Sequence, residues 1–125
     1  MTKTEIEEAS KNKDLLVDFY AAWCGPCKLM SQKLDTEILP RLAKVQVVRV
    51  DTDMAPGLAS EFGVTSIPTI FCYRKGKCIG KFIGVVPSDD IVSAFNIEKT
   101  ETITVDIGLN NKKEKQLPIS KASEI

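Results

Sequence analysis

The sequence contains no histidine. That absence removes the commonest general base, the commonest zinc ligand and the usual charge switch near neutral pH. Neither sign of charge is in excess, with 17 Lys plus Arg against 17 Asp plus Glu. A balanced surface gives no electrostatic reason to expect a nucleic acid or an anionic membrane as partner. No apolar run approaches the roughly 18–20 residues that cross a bilayer. The opening Met1-Thr2-Lys3-Thr4-Glu5-Ile6-Glu7-Glu8 has neither an apolar stretch nor a small-residue cleavage site, so the expected location is cytoplasmic, in a reducing compartment. Aromatics are scarce, at 6% of the chain with one tryptophan. What the chain does have is 125 residues, 43% of them hydrophobic, which is one domain's worth and enough to bury a core without staples. It also has four cysteines, at 24, 27, 72 and 78. Without an export signal, four cysteines argue for redox or metal chemistry over a disulfide scaffold.

Thr4 and Glu7 have capping-box spacing, and Glu5, Glu7 and Glu8 suit a helix N-terminus, so residues 4–11 are expected to be a short helix. The run from Leu15 to Ala21 has the length and character of a strand buried on both faces, interrupted by one carboxylate, Asp18. Trp23-Cys24-Gly25-Pro26-Cys27 follows as a turn. Pro26 suits an early helical position, which puts Cys24 at the N-terminus of the next helix. Leu29, Met30, Leu34, Ile38 and Leu39 continue that helix until Pro40 ends or kinks it. Val45 to Val50 reads as a second buried strand, interrupted by Arg49. Asp53, Pro56, Leu58, Ala59, Phe62 and then Gly63 read as a short capped helix ending in glycine. Ile67 to Tyr73 is a strand with proline near its start, and Arg74 to Lys77 turns it back into Cys78 to Ile83. A last helix opens at Pro87-Ser88-Asp89-Asp90 and presents Ile91 and Phe95 on one face. A crossover helix between buried strands requires parallel pairing and the hairpin adds an antiparallel edge, so the fold is a mixed α/β sheet with helices on both faces.

These elements assign residues 1–99 to one domain and 100–125 to a C-terminal extension of different character. There Thr102 to Ile107 alternates like a half-buried strand, Asn110 to Lys115 is a polar turn, and Gln116 to Ile119 reads as a second short strand.

Disulfide chemistry needs the thiolate, whereas a free thiol with pKa near 8.5 is mostly protonated at neutral pH. Cys24, where a helix begins, would have its anion stabilised by unpaired backbone N–H groups and the helix dipole. Cys27 lies one turn further in, within disulfide reach and more shielded. The asymmetry divides the work: Cys24 attacks a substrate disulfide and Cys27 resolves the mixed disulfide. The resolving thiol needs a proton acceptor, and Asp18 is the candidate, since burial raises a carboxyl toward the range of a useful general base.

The segment Val17-Asp18-Phe19-Tyr20-Ala21-Ala22-Trp23-Cys24-Gly25-Pro26-Cys27-Lys28 resembles the active-site segment of the thioredoxin family. Ile67-Pro68-Thr69 resembles that family's cis-proline loop, and Gly84 its glycine after the last strand, so the likeness spans about residues 3–98. The resemblance implies a thioredoxin fold and a protein-disulfide reductase acting as an electron carrier through a Cys24/Cys27 dithiol-disulfide cycle. It implies a cis Pro68 facing the cysteine pair, with the Ile67 backbone pairing with an extended client segment as in strand addition. Trp23, Gly25, Pro26, Ile67, Pro68, Gly84 and Val85 would form a flat apolar docking surface. No cofactor would be bound; electrons from NADPH would arrive through a partner thioredoxin reductase, and the protein would be a monomer serving disulfide-containing clients.

Three departures from the family pattern stand out. Its helix-kinking proline is Gln32 here, which predicts a straighter helix. The lysine near its buried aspartate is Arg49, a permanent charge expected to hold the Asp18 pKa lower than lysine would, or else a side chain that merely reaches the surface. The family's first strand has no counterpart ahead of the first helix, and the 102–107 strand is expected to cover the sheet edge left bare. Rival readings are a zinc site using all four cysteines, a binding or scaffold module that keeps only the fold, and a redox protein dedicated to one client. Against zinc, pairing of Tyr73 with Cys78 would send Cys72 and Cys78 to opposite faces of the sheet.

Overall fold

A computed structural model describes residues 1–101 of the chain, with side chains through Asn96. The expected strands at 102–107 and 116–119, and with them the expected edge cover, lie outside the described residues.

The elements are α1 (Lys3–Ala9), β1 (Asp14–Tyr20), α2 (Gly25–Lys33), β2 (Val45–Asp51), α3 (Pro56–Glu61), β3 (Thr69–Arg74), β4 (Lys77–Ile83) and α4 (Ser88–Glu101). The sheet order is β2-β1-β3-β4, with β1 parallel to β2 and antiparallel to β3, and β4 antiparallel to β3. Strand alternation sorts the core onto two faces. Leu15, Val17, Phe19, Phe71 and Tyr73 pack with Ile6 of α1 and Leu58 of α3. Leu16, Ile70 and Cys72 pack on the other face with Met30 of α2 and Ile91 and Phe95 of α4. Asp18, between Val17 and Phe19, therefore points to the α2 side.

Several sequence expectations need correction. The first helix runs from Lys3 to Ala9, and its capping box is Thr2 with Glu5. The Thr2 hydroxyl accepts from the Glu5 N–H at 3.2 Å and the Glu5 carboxylate accepts from the Thr2 N–H at 2.7 Å. The same spacing is satisfied two residues earlier than expected. The second strand is not buried: among its residues only Val50 is, because β2 stands at the edge of the sheet among the described residues. With Gln32 in place, the α-helical pattern still ends at Lys33. Leu34–Ile38 form a π-helical turn, closed by the Leu39 N–H on the Leu34 carbonyl, and a 3₁₀ turn with Pro40 ends the run. The wider turn keeps both Leu34 and Ile38 fully buried.

Lys75 and Gly76, both at positive φ, form the hairpin tip, and the Lys75 N–H donates to the Ser10 carbonyl at 2.9 Å. The register puts Tyr73 opposite Cys78 as expected, with a bulge between Cys72 and Tyr73.

Candidate functional site

Cys24 is the N-cap of α2, in extended backbone conformation, with Pro26 in the first turn where its missing N–H costs nothing. Cys24 and Cys27 are joined as a disulfide across a Cα–Cα distance of 5.3 Å. The Cys27 N–H donates to Cys24 Sγ at 3.2 Å. The helix thus aims a backbone donor at the Cys24 sulfur, an arrangement that stabilises negative charge there once the pair is reduced. Exposure does not separate the two cysteines as expected, since they are 5% and 4% accessible. Their surroundings do. A cavity of about 300 Å³ is lined by Cys27 but not by Cys24, and Asp18, Tyr20, Lys28, Ser31 and Arg49 share its wall.

Asp18 is 2% exposed, and its Oδ1 is buried without a hydrogen bond. Burial pushes its carboxyl up from 3.8 to about 6; the Arg49 guanidinium pulls it back down and the Asp35 carboxylate adds to the rise. Arg49 is the register partner of Asp18 across the parallel β1–β2 pair, which places both side chains on the same face. The guanidinium turns outward, with NH1 donating to Ser31 Oγ at 2.5 Å and NH2 to Asp35 Oδ1 at 2.9 Å.

Of the residues expected at a docking surface, the structure links Ile67 to the cysteine pair and Gly84 to Pro68. Ile67–Pro68 is cis; Pro68 is buried and Ile67 half-buried, and Ile67 packs against the cysteine pair. The Gly84 N–H donates to the Pro68 carbonyl at 2.8 Å, tying the loop after β4 to the loop before β3. Gly84 sits at φ +84 with open space where a Cβ would be, a conformation that favours glycine. Trp23 and Val85 stand 71% and 44% exposed beside them. The Trp23 indole N–H donates to Asp53 Oδ2 at 2.8 Å, which holds an exposed ring in place.

Sequence reasoning missed Asp53, Ser31, Asp35 and the lining residues Tyr20 and Lys28. One signal was available for two of them: Cys27, Ser31 and Asp35 follow i, i+4 spacing and so share a helix face. The partner of Trp23, by contrast, lies thirty residues away in sequence and left no local mark. Cys72 and Cys78 fall on opposite faces, one buried and one exposed. Burial pushes the Cys72 thiol up to about 12, which disfavours its thiolate. Among the described residues no group of three or more His, Cys, Asp or Glu is placed to hold a metal ion, and no helix is long and apolar enough to cross a membrane.

The comparisons with known proteins agree with this geometry. A family model described as thioredoxin matches residues 2–97. The chain is 37% identical over 90 residues to a thioredoxin of Pyropia yezoensis, covering 72% of this chain and 84% of that protein. It is 42% identical over 86 residues to the mitochondrial thioredoxin-3 of Saccharomyces cerevisiae, covering 68% and 67%. A crystal structure of mitochondrial thioredoxin 3 from Saccharomyces cerevisiae in its oxidized form aligns with a TM-score of 0.64 and 37% identity, over 74% of this chain and 88% of that one.

Proposed function

The chain belongs to the thioredoxin family and is a thiol-disulfide oxidoreductase, and from that premise we propose that it reduces client protein disulfides with Cys24 as nucleophile, Cys27 as resolving thiol and Asp18 as proton acceptor. The Cys24 thiolate attacks one sulfur of the client disulfide; that S–S bond breaks, a mixed disulfide forms, and the departing client sulfur takes a proton. Cys27 then gives its proton to the Asp18 carboxylate and attacks Cys24 Sγ. The second client thiol leaves, and the protein keeps the Cys24–Cys27 disulfide. Two electrons have passed from the dithiol to the client.

One observation carries the division of labour: Cys27 opens onto the cavity that holds Asp18, while Cys24 caps the helix. With a carboxyl near 6, Asp18 is mostly ionised at neutral pH and ready to accept a proton. Trp23, Gly25, Pro26, Ile67, Pro68, Gly84 and Val85 form the docking face in this reading, with the client strand paired to the Ile67 backbone. No bound cofactor is needed; electrons come from NADPH through a thioredoxin reductase, and the protein acts as a monomer in the cytoplasm. Relatives named mitochondrial and chloroplastic work elsewhere, so cell fractionation tests the location. Residues 1–99 carry the chemistry and 100–125 are an extension, so a chain cut after Lys99 should still cycle.

Insulin reduction driven by dithiothreitol, then by NADPH with a thioredoxin reductase, tests the whole scheme. Cys24→Ser abolishes turnover and Cys27→Ser traps the mixed disulfide; inactivity with both reductants overturns the reductive role.

A further inference from the structure

Arg49 raises a problem for the proton acceptor beside it. A guanidinium on the neighbouring strand, facing the same way as a buried carboxylate, has the donors to form a bidentate pair with it. Such a pair would lock Asp18 as a permanent anion and a poor base. The structure has another arrangement. Two of the Arg49 nitrogens are taken by Ser31 Oγ and Asp35 Oδ1, and Asp18 Oδ1 is without a hydrogen bond. Ser31 belongs to α2 and Asp35 to the π turn that extends it, so both ride on the helical run that carries Cys27. The other polar residues that share the cavity wall with Asp18 are Lys28 and Cys27 from α2 and Tyr20 from β1, while β3 sets the apolar Ile70 opposite it.

We propose that Ser31 and Asp35 are positioning residues for the redox cycle, holding the Arg49 guanidinium at the rim of the cavity so that Asp18 remains unpaired and free to take the Cys27 proton. The inference rests on Asp18 being the proton acceptor. It explains how a permanent cation can stand next to that carboxylate: Arg49 tempers the negative charge from a distance while its hydrogen bonds are spent on the helix. Without the two partners the guanidinium turns inward and pairs with Asp18.

The test uses the full-length oxidised protein and follows the Asp18 carboxyl by ¹³C NMR titration. In Asp35→Ala the midpoint should fall by roughly half a unit or more, and further in Ser31→Ala/Asp35→Ala, toward the 1–3 units typical of a direct arginine contact. In an Arg49→Gln background the same Asp35 replacement should move it much less. The pH profile of insulin reduction by Asp35→Ala should show a slower resolving step at neutral pH. An unmoved midpoint, or an equal fall without Arg49, overturns the clamp. Unchanged insulin reduction by Asp18→Asn would instead overturn the proton-acceptor role, and the titration of Asp35→Ala would still read the clamp separately.

Discussion

At the scale of single residues, two buried charges dominate and act in opposite directions. Asp18 is ionised without a compensating hydrogen bond at Oδ1. Its pKa is higher folded than unfolded, about 6 against 3.8, so the folded state holds the proton more tightly. Stability is therefore lost as pH rises through that window, and the full cost stands above it, on the order of 3 kcal/mol. Asp18→Asn should raise stability at pH 8 by as much as about 3 kcal/mol and leave it unchanged near pH 3.5, as read by denaturant titration at the two values. The same variant should be slow in the resolving step. Arg74 is the contrasting case. It is 8% exposed, pairs with both Asp14 carboxylate oxygens at 2.9 and 2.7 Å, and donates to the Phe95 carbonyl at 2.7 Å. Asp14→Ala removes two charge-assisted hydrogen bonds from that guanidinium and should cost about 2 kcal/mol in urea unfolding.

At the scale of elements, helix ends carry the information. α3 is only six residues long, and its C-terminus is held by the Gly63 N–H on Ser60 and the Val64 N–H on Ala59, both at 3.0 Å. That pair of bonds is a Schellman motif, and it needs Gly63 at φ +67. A Cβ at Gly63 would meet nothing within 4 Å, so Gly63→Ala should cost about 1 kcal/mol, from backbone strain alone. Thermal unfolding measures it; a loss well beyond that would point to a contact not accounted for. α2 shows the other side of the matter. Its start at Cys24 was legible because Gly-Pro after a possible cap residue is a local signal. The π turn was not, since it answers to the burial of Leu34 and Ile38 against the sheet, a demand made by distant strands. The half-exposure of β2 has the same origin: hydrophobic content cannot tell a central strand from an edge strand.

At the scale of the whole molecule, the proposed docking face draws on three loops far apart in sequence, those of Trp23, of Ile67 with Pro68, and of Gly84 with Val85. Ile67 packs against the cysteine pair, and the Gly84–Pro68 hydrogen bond joins two of those loops directly. A charge on that face should penalise a protein client and spare a small one. Val85→Asp is expected to raise the KM for insulin severalfold while leaving reduction of a small aromatic disulfide unchanged, by analogy with burying an unpaired charge at an interface. Equal effects on both substrates would mean the residue acts on the chemistry.

The sequence by itself determined the cysteine pair, the first of the two as a helix cap, the lone carboxylate before it and the alternating order of strands and helices. Each of these is a local pattern, written within a few residues by turn chemistry and periodicity. Only the tertiary structure decided which strand lies at the edge, what holds Trp23, and where the Arg49 guanidinium points. It also decided that the two equally buried cysteines differ by the cavity that one of them faces. Those outcomes depend on side chains brought together across the sheet by packing, and no short stretch of the chain contains both partners.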